Sequence, residues 1–427
     1  MFRPQPRLRL YGMPGALLIA ARSYLTGSVN RGQDLQRLEA ELARYVGVDH
    51  AVSVSQGRFA LYLVVKHLVK PGQKVILSPY TIHDVVNMVI AAGAIPVFAD
   101  IDKETCNINL EQARSLIDAD TGAILITHFQ GMTCDAAAFR RLCDERGIKL
   151  IEDCAQAFGA MSGNRVVGSI GHAGAYSFNR VKNVNSFYGG AIVTDVAALA
   201  ENIRREVDSL PPIDSRRLFR QFLYCAMREL LSVTPVFQLL TFPRLRHSAL
   251  RGSRAAMKIV DTEENIVRRD TLQEFLRSRM TQMQGRIVLQ QLPAVDRGIE
   301  RRSQIAERYY KGLNDVRGLQ LPPRRIDHSH IYLGYPVQVE NREAFIRHMM
   351  QEGRDVAIQH CKNLADEECF KAFRRDCPNA RWVAKRVVLL PDHPKYSDDE
   401  VDRTIAAAKA YFETSRKPVG QPTSQTA

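Results

Sequence analysis

Apolar positions in the first half of the chain alternate between two periods. Leu35, Leu38, Leu42 and Tyr45 recur at helical spacing, and Gly47 closes that helix. Residues 51–55 form a short apolar run that reads as a strand, Gln56-Gly57 is a turn, and 58–69 is an apolar helix ended by Pro71-Gly72. The alternation continues with strands at 74–78, 94–99, 123–127, 149–152 and 175–178, and with helices at 81–92, 110–117 and 135–146. This order predicts an α/β protein with a mostly parallel sheet wrapped by helices. Ligand-binding groups are then expected at the carboxyl ends of the strands.

Composition adds little to that picture, and charge adds more. The 427 residues are 45% hydrophobic and 25% charged, ordinary for a folded protein with a sizeable core. The formal net charge of +13 favours an anionic partner, or is simply a basic surface. No zinc-finger spacing, RNA-binding signature or continuous basic helix points to nucleic acid. The eight cysteines include no C-x-x-C pair, and Cys361, Cys369 and Cys377 do not fall at a zinc spacing. Reduced thiols in a cytoplasmic protein are expected, with no metal site. Arg3, Arg7 and Arg9 precede a short apolar stretch broken by Pro14, which reads as an N-terminal arm with a helix rather than a signal peptide.

Three strand ends carry chemistry. The first is Ser55-Gln56-Gly57-Arg58, where a glycine turn opens a helix whose backbone N–H groups suit an anion. Taken alone, this stretch reads more simply as a plain structural turn. The second is Glu152-Asp153-Cys154-Ala155-Gln156, a carboxylate and an amide that one ligand could share, or an ordinary N-cap. The third is Ser177 followed by Lys182 and Gly189-Gly190. A lone loop lysine is most often solvated surface, so the weight rests on the three sites together and in this order.

The runs IEDCAQAFGA (151–160), SFNRVK (177–182) and YGGAIVT (188–194) resemble the DegT/StrS sugar aminotransferases, enzymes that use pyridoxal 5'-phosphate (PLP) on the aspartate aminotransferase fold. The resemblance covers 24–209 and 277–408, including GQKVILSPYT, AGAIPVFADID, RMTQMQGRIVLQQL and VVLLPDHPKYSDDEV. It implies a fold type I transferase: a mostly parallel seven-stranded sheet with helices on both faces and a smaller C-terminal α/β domain. It also implies a homodimer acting on a keto-sugar, nucleotide-linked in the family pattern, with an amino acid donor such as glutamate. Lys182 would hold PLP as a Schiff base and then shuttle a proton, since a neutral amine is both nucleophile and base. Asp153 would pair with the pyridinium nitrogen, Gln156 would lie near the phenolic oxygen, and Ser177 with Gly57 and Arg58 would bind the phosphate.

Some positions depart from the family. Gln56-Gly57-Arg58 stands where Ser-Gly-Thr is usual, and Arg58 is expected to replace the lost hydroxyls as a charged donor. Ile82 stands where an aromatic ring usually stacks on PLP, and Arg277 where an asparagine usually reaches the partner subunit's cofactor phosphate. His330 and His360 are candidate substrate contacts, with a packing role as the blander reading of each. Another PLP reaction, or a non-catalytic family member at a membrane, stays open at this point.

Residues 210–262 match nothing in the family core. Their apolar residues are interrupted by Arg228-Glu229 and Pro235, too often for the ~20-residue run that spans a bilayer. An apolar helical hairpin with basic flanks suits a membrane interface through 213–248, at the inner face of the membrane; packing on the protein's own surface or on a second subunit competes with that reading. The expected division is an arm (1–30), a large PLP-binding domain (31–295), a small C-terminal domain (296–414) with a strand at 331–339 and a helix at 342–352, and a disordered Pro/Ser/Thr/Gln-rich tail (415–427).

Overall fold

The computed structural model describes residues 4–9, 13–251 and 265–414. The basic positions Arg254 and Lys258 and the expected tail at 415–427 lie outside the described residues.

Seven strands form the central sheet. In chain order they are β1 (His50–Val54), β2 (Lys74–Leu77), β3 (Ile95–Phe98), β4 (Thr121–Thr127), β5 (Lys149–Asp153), β6 (Ala173–Ser177) and β7 (Gly190–Thr194). Their order across the sheet is β1-β7-β6-β5-β4-β2-β3. Pairs from β6 through β3 are parallel, whereas β7 runs antiparallel to both its neighbours. All seven residues of β4 are buried, as a strand covered by helices on both faces requires.

This topology builds the site. Since β7 is antiparallel to both β1 and β6, those two strands point the same way as β5 and β4. The carboxyl ends of β1, β4, β5 and β6 and the start of β7 therefore share one edge. On that edge lie Gln56-Gly57, His128, Asp153, Ser177 and Gly190.

Helix boundaries follow the sequence pattern closely: Asp34–Val46 is closed by Gly47 in the left-handed region, and Gly57–Leu68 starts at the predicted glycine. Two boundaries differ. The helix expected at 81–92 begins at His83, because Tyr80–Thr81 pair with Lys362–Asn363 as a short antiparallel ribbon. The strand expected at 331–339 is only Tyr335–Val339; upstream, the amides of Ile331 and Leu333 donate to the carbonyls of Gly131 and Gln130. A second sheet takes Leu319–Gln320, Tyr335–Val339, Val387–Leu390 and Ala357–Ile358 in that spatial order, entirely antiparallel. All eight cysteines are free.

The unmatched segment is helical. Helix Ser215–Ser232 is followed, after Val233, by helical turns that run on to Leu250. Its inner residues Leu218 and Cys225 pack with Met13, Ala16 and Ala20 of the helix Met13–Leu25 and with Phe187 and Ile287. Phe237, Phe242 and Leu245 pack with Ile305, Tyr309 and Met349 beside the second sheet. Packing on the protein's own surface thus accounts for one side of the segment. No described helix is long and apolar enough to cross a membrane.

Candidate active site

The floor of the site is the end of β5. Glu152 is fully buried and accepts hydrogen bonds from the Gly168 N–H (2.9 Å), the Ile170 N–H (2.8 Å), the Gly171 N–H (2.5 Å) and His128 Nε2 (3.0 Å). His128 Nδ1 accepts from the Cys134 N–H at 3.1 Å, so the ring proton sits on Nε2 and points at Glu152. Burial alone would raise the Glu152 pKa; the His128 hydrogen bond and the Gly171 and Gly168 amides outweigh that and hold it low. His128, Glu152 and Cys154 place potential ligand atoms within 4.8 Å of one another, but both Glu152 oxygens are already committed to these donors.

Asp153, the next residue, points to the opposite face of the strand. It is 3% exposed, and the Ala155 N–H donates to it at 3.0 Å. Burial pushes its pKa up; the Ala155 amide, the charge on Lys182, His128 and the Thr127 hydroxyl oppose that. Lys182 thus lies near enough for its charge to favour the ionised Asp153, although the two are 29 positions apart in the sequence.

The loop carrying Lys182 is stapled along its length. Lys182 N–H donates to Asn179 O (3.0 Å), Asn183 Nδ2 to Phe158 O (2.8 Å), and Gln291 Nε2 to Asn185 O (2.6 Å). Buried Phe187 sits at φ +70°, a left-handed conformation unusual for a residue with a side chain. The loop returns through Gly189 at φ +129°, whose carbonyl accepts from the Phe178 N–H at 2.9 Å. Holding the loop in so many places fixes where the lysine can reach.

Beside it, helix Gly57–Leu68 abuts the ends of β6 and β7. A Cβ added at Gly57 would lie 2.6 Å from Ser177 Cβ, and one at Gly190 would lie 2.6 Å from Gly57 N. Only glycines allow this approach. Gln56 gives the helix no side-chain cap, so its first-turn N–H groups, which have no partner within the helix, face the same edge as the Ser177 hydroxyl.

The remaining expected residues are placed as follows. Arg58 forms an ion pair with Asp84 and donates to Gln56 Oε1 (3.1 Å); Arg269 also reaches Asp84 at 3.3 Å. The Arg58 charge therefore already has a carboxylate partner, which the sequence did not reveal. Gln156 Oε1 accepts from the Gln130 N–H at 3.0 Å. Ile82 is half-buried at the start of helix His83–Ala91, and Arg277 is exposed. His330 is 1% exposed and stacked on Tyr332 at 3.8 Å; burial drives its pKa down to about 3, so it is a neutral packing residue rather than a group open to substrate. His360 is half-buried. The sequence reading missed His128 and the role of Glu152. The two residues are 24 apart and meet only because β4 and β5 pair in parallel.

Solved structures that share this architecture are aminotransferases. S. venezuelae DesV, determined in complex with a ketimine intermediate, matches 94% of this chain and 95% of its own at 26% identity, with a TM-score of 0.73. The fold and the lysine–carboxylate edge thus define an aminotransferase. More particularly, the chain belongs to the DegT/DnrJ/EryC1/StrS aminotransferase family, whose model matches residues 19–409. It is similar to the spore coat polysaccharide biosynthesis protein SpsC of Bacillus subtilis, 29% identical across 90% of this chain and 91% of that protein. It is also similar to the dTDP-3-amino-3,4,6-trideoxy-alpha-D-glucose transaminase of Micromonospora megalomicea subsp. nigra, 26% identical across 90% and 91%.

The family implies PLP, and the donor set fits that group. A buried acid suits a protonated ring nitrogen, a lysine beside it suits the aldehyde, and an uncapped helix N-terminus with a serine hydroxyl suits a phosphate.

Proposed function

We propose that this enzyme transfers an amino group from an amino acid, with glutamate as the donor, to the ketone of a nucleotide-linked sugar in amino-sugar or polysaccharide biosynthesis. The single observation that carries the reading is Lys182 near enough for its charge to favour ionised, buried Asp153 at the carboxyl edge of a parallel sheet. Similarity to a dTDP-amino-sugar transaminase and to a polysaccharide biosynthesis protein supports the substrate class.

PLP would be held by Lys182, Asp153, Gln156, Ser177 and the first turn after Gln56, with Gly57 leaving room for the phosphate; when bound, it supplies an electron sink at the substrate carbon. Asp153 keeps a proton on the ring nitrogen: burial penalises its charge, and a cationic partner restores it. The Lys182 amine takes a proton from the donor's α-carbon and delivers one to the sugar carbon. Ile82 would cover one ring face. Arg58, tempered by Asp84, adds positive charge near the phosphate. Exposed Arg277 would reach the cofactor phosphate of a second subunit, as the family resemblance implies, and the working unit would then be a homodimer.

Nitrogen-labelled glutamate, PLP and a panel of nucleotide-linked keto-sugars test this reading. Label should appear in one amino sugar with wild-type protein and in none with Lys182→Ala. Absence of labelled sugar across the panel, with PLP bound, would reject the substrate class.

A further inference from the structure

The packing of the inserted segment leaves one side unexplained. On helix Ser215–Ser232, Phe219, Leu223, Met227 and Leu230 recur at spacings of four, four and three, a single stripe along the helix. They are 40%, 50%, 53% and 60% exposed. The stripe continues into exposed Leu231, Leu239 and Leu240 on the following turns. Most large apolar residues elsewhere in the described structure are buried, so a contiguous row of this kind marks a contact surface.

Charge identifies the contact. Between 213 and 251 there are seven arginines (216, 217, 220, 228, 244, 246 and 251) and two acids, Asp214 and Glu229. Asp214 is spent as the N-cap of the helix, accepting from the Arg216 N–H. Exposed Arg216 and Arg220 head the apolar stripe and line an open groove with Tyr24, Asp214, Ser215 and Phe219. A second copy of the chain meeting this face about a twofold axis would bring this net-positive segment against its own net-positive copy. An anionic lipid surface instead offers phosphates to the arginines and acyl chains to the leucines.

We propose that the outer face of helix Ser215–Ser232, with the turn through Leu240, docks on an anionic bilayer without crossing it. The inner face of the same helix backs the catalytic loop. The Arg180 guanidinium lies over the Tyr224 ring at 5.0 Å, and Tyr188 donates to Gln221 at 3.4 Å. Docking would therefore hold the Lys182 loop close to the lipid surface, although the binding itself does not depend on the proposed transamination.

Flotation of purified full-length protein with vesicles tests the proposal. Vesicles of phosphatidylcholine with about one third phosphatidylglycerol should carry the protein up the gradient, pure phosphatidylcholine should not, and added salt should release it. Leu223→Glu with Met227→Glu should lower the bound fraction about tenfold or more, with circular dichroism and melting temperature unchanged. Arg216→Ala with Arg220→Ala should lower it several-fold and flatten the salt dependence. No flotation at low salt, or equal flotation of the double glutamate variant, overturns the proposal. So does a dimer that the glutamate variant splits into monomers in light scattering, which would assign the face to a second copy.

Discussion

The end of β5 and the outer side of helix Ser215–Ser232 treat their side chains in opposite ways. At β5, buried Glu152 is held by four donors, and buried Asp153 by an amide, a hydroxyl and the charge of Lys182. On the helix, Leu223, Met227 and Leu230 stand at half exposure or more. In the first region Glu152 and its donors fix one another, so removing one donor leaves a buried carboxylate short of a partner. In the second, the outer side chains contribute little to the fold, and their effect is felt by what they meet outside it. Buried polar networks are costly unless satisfied, and both Glu152 oxygens are satisfied beside the proposed cofactor lysine and acid.

The sharpest way to break the contrast is at Lys182. Lys182→Ala should cut transamination by about 10⁴-fold, the upper range for losing a proton-transferring group, while leaving melting temperature near wild type. An Asp153→Asn variant should lose roughly 10²-fold in kcat, since a neutral amide no longer holds the ring proton. Its melting temperature should not fall, because burial penalises the carboxylate that it removes.

His128→Ala separates structure from chemistry at the same strand. It should destabilise the protein by about 3 kcal/mol in denaturant titration, because it leaves Glu152 buried without its side-chain partner. The same experiment at Met227→Ser should show a change within about 0.5 kcal/mol. Equal losses at the two positions would erase the distinction.

Acid should weaken the folded state through histidines that burial keeps neutral. His172 is lowered to about 4, and His330 and His393 to about 3, from 6.5. The unfolded chain accepts protons that these folded rings refuse. Their contribution is therefore complete above pH 6.5 and lost as pH falls towards 3. Asp392, raised by burial to about 6, acts in the opposite sense between pH 6 and 3.8. Melting temperatures across this range should fall on acidification, and His393→Gln should flatten the fall by removing one of the three rings.

Much of this arrangement was readable in the sequence, for physical reasons. Strand–helix alternation gave the parallel sheet, and a parallel sheet puts Asp153 and Ser177 at one edge wherever the chain later brings Lys182. Long-range pairings were not readable. The His128–Glu152 bond and the Tyr80–Thr81 ribbon with Lys362–Asn363 join segments whose local patterns give no sign of each other. Asp84 lies two residues after Ile82 in an unremarkable run, yet it claims Arg58 from another helix. By type alone His330 suited either a substrate contact or packing, and the fold buries it against Tyr332. The inserted segment gave its apolar and basic character in sequence, but only the fold showed which leucines face out.

The central claim is that Lys182, across from Asp153, is the residue that binds the cofactor. Borohydride reduction of the protein incubated with PLP, followed by digestion and mass spectrometry, tests it most directly. The account predicts one pyridoxyl group, on the peptide containing Lys182, and its loss in Lys182→Ala. A label on another lysine at equal yield, or no label under conditions where the protein is folded, would contradict it.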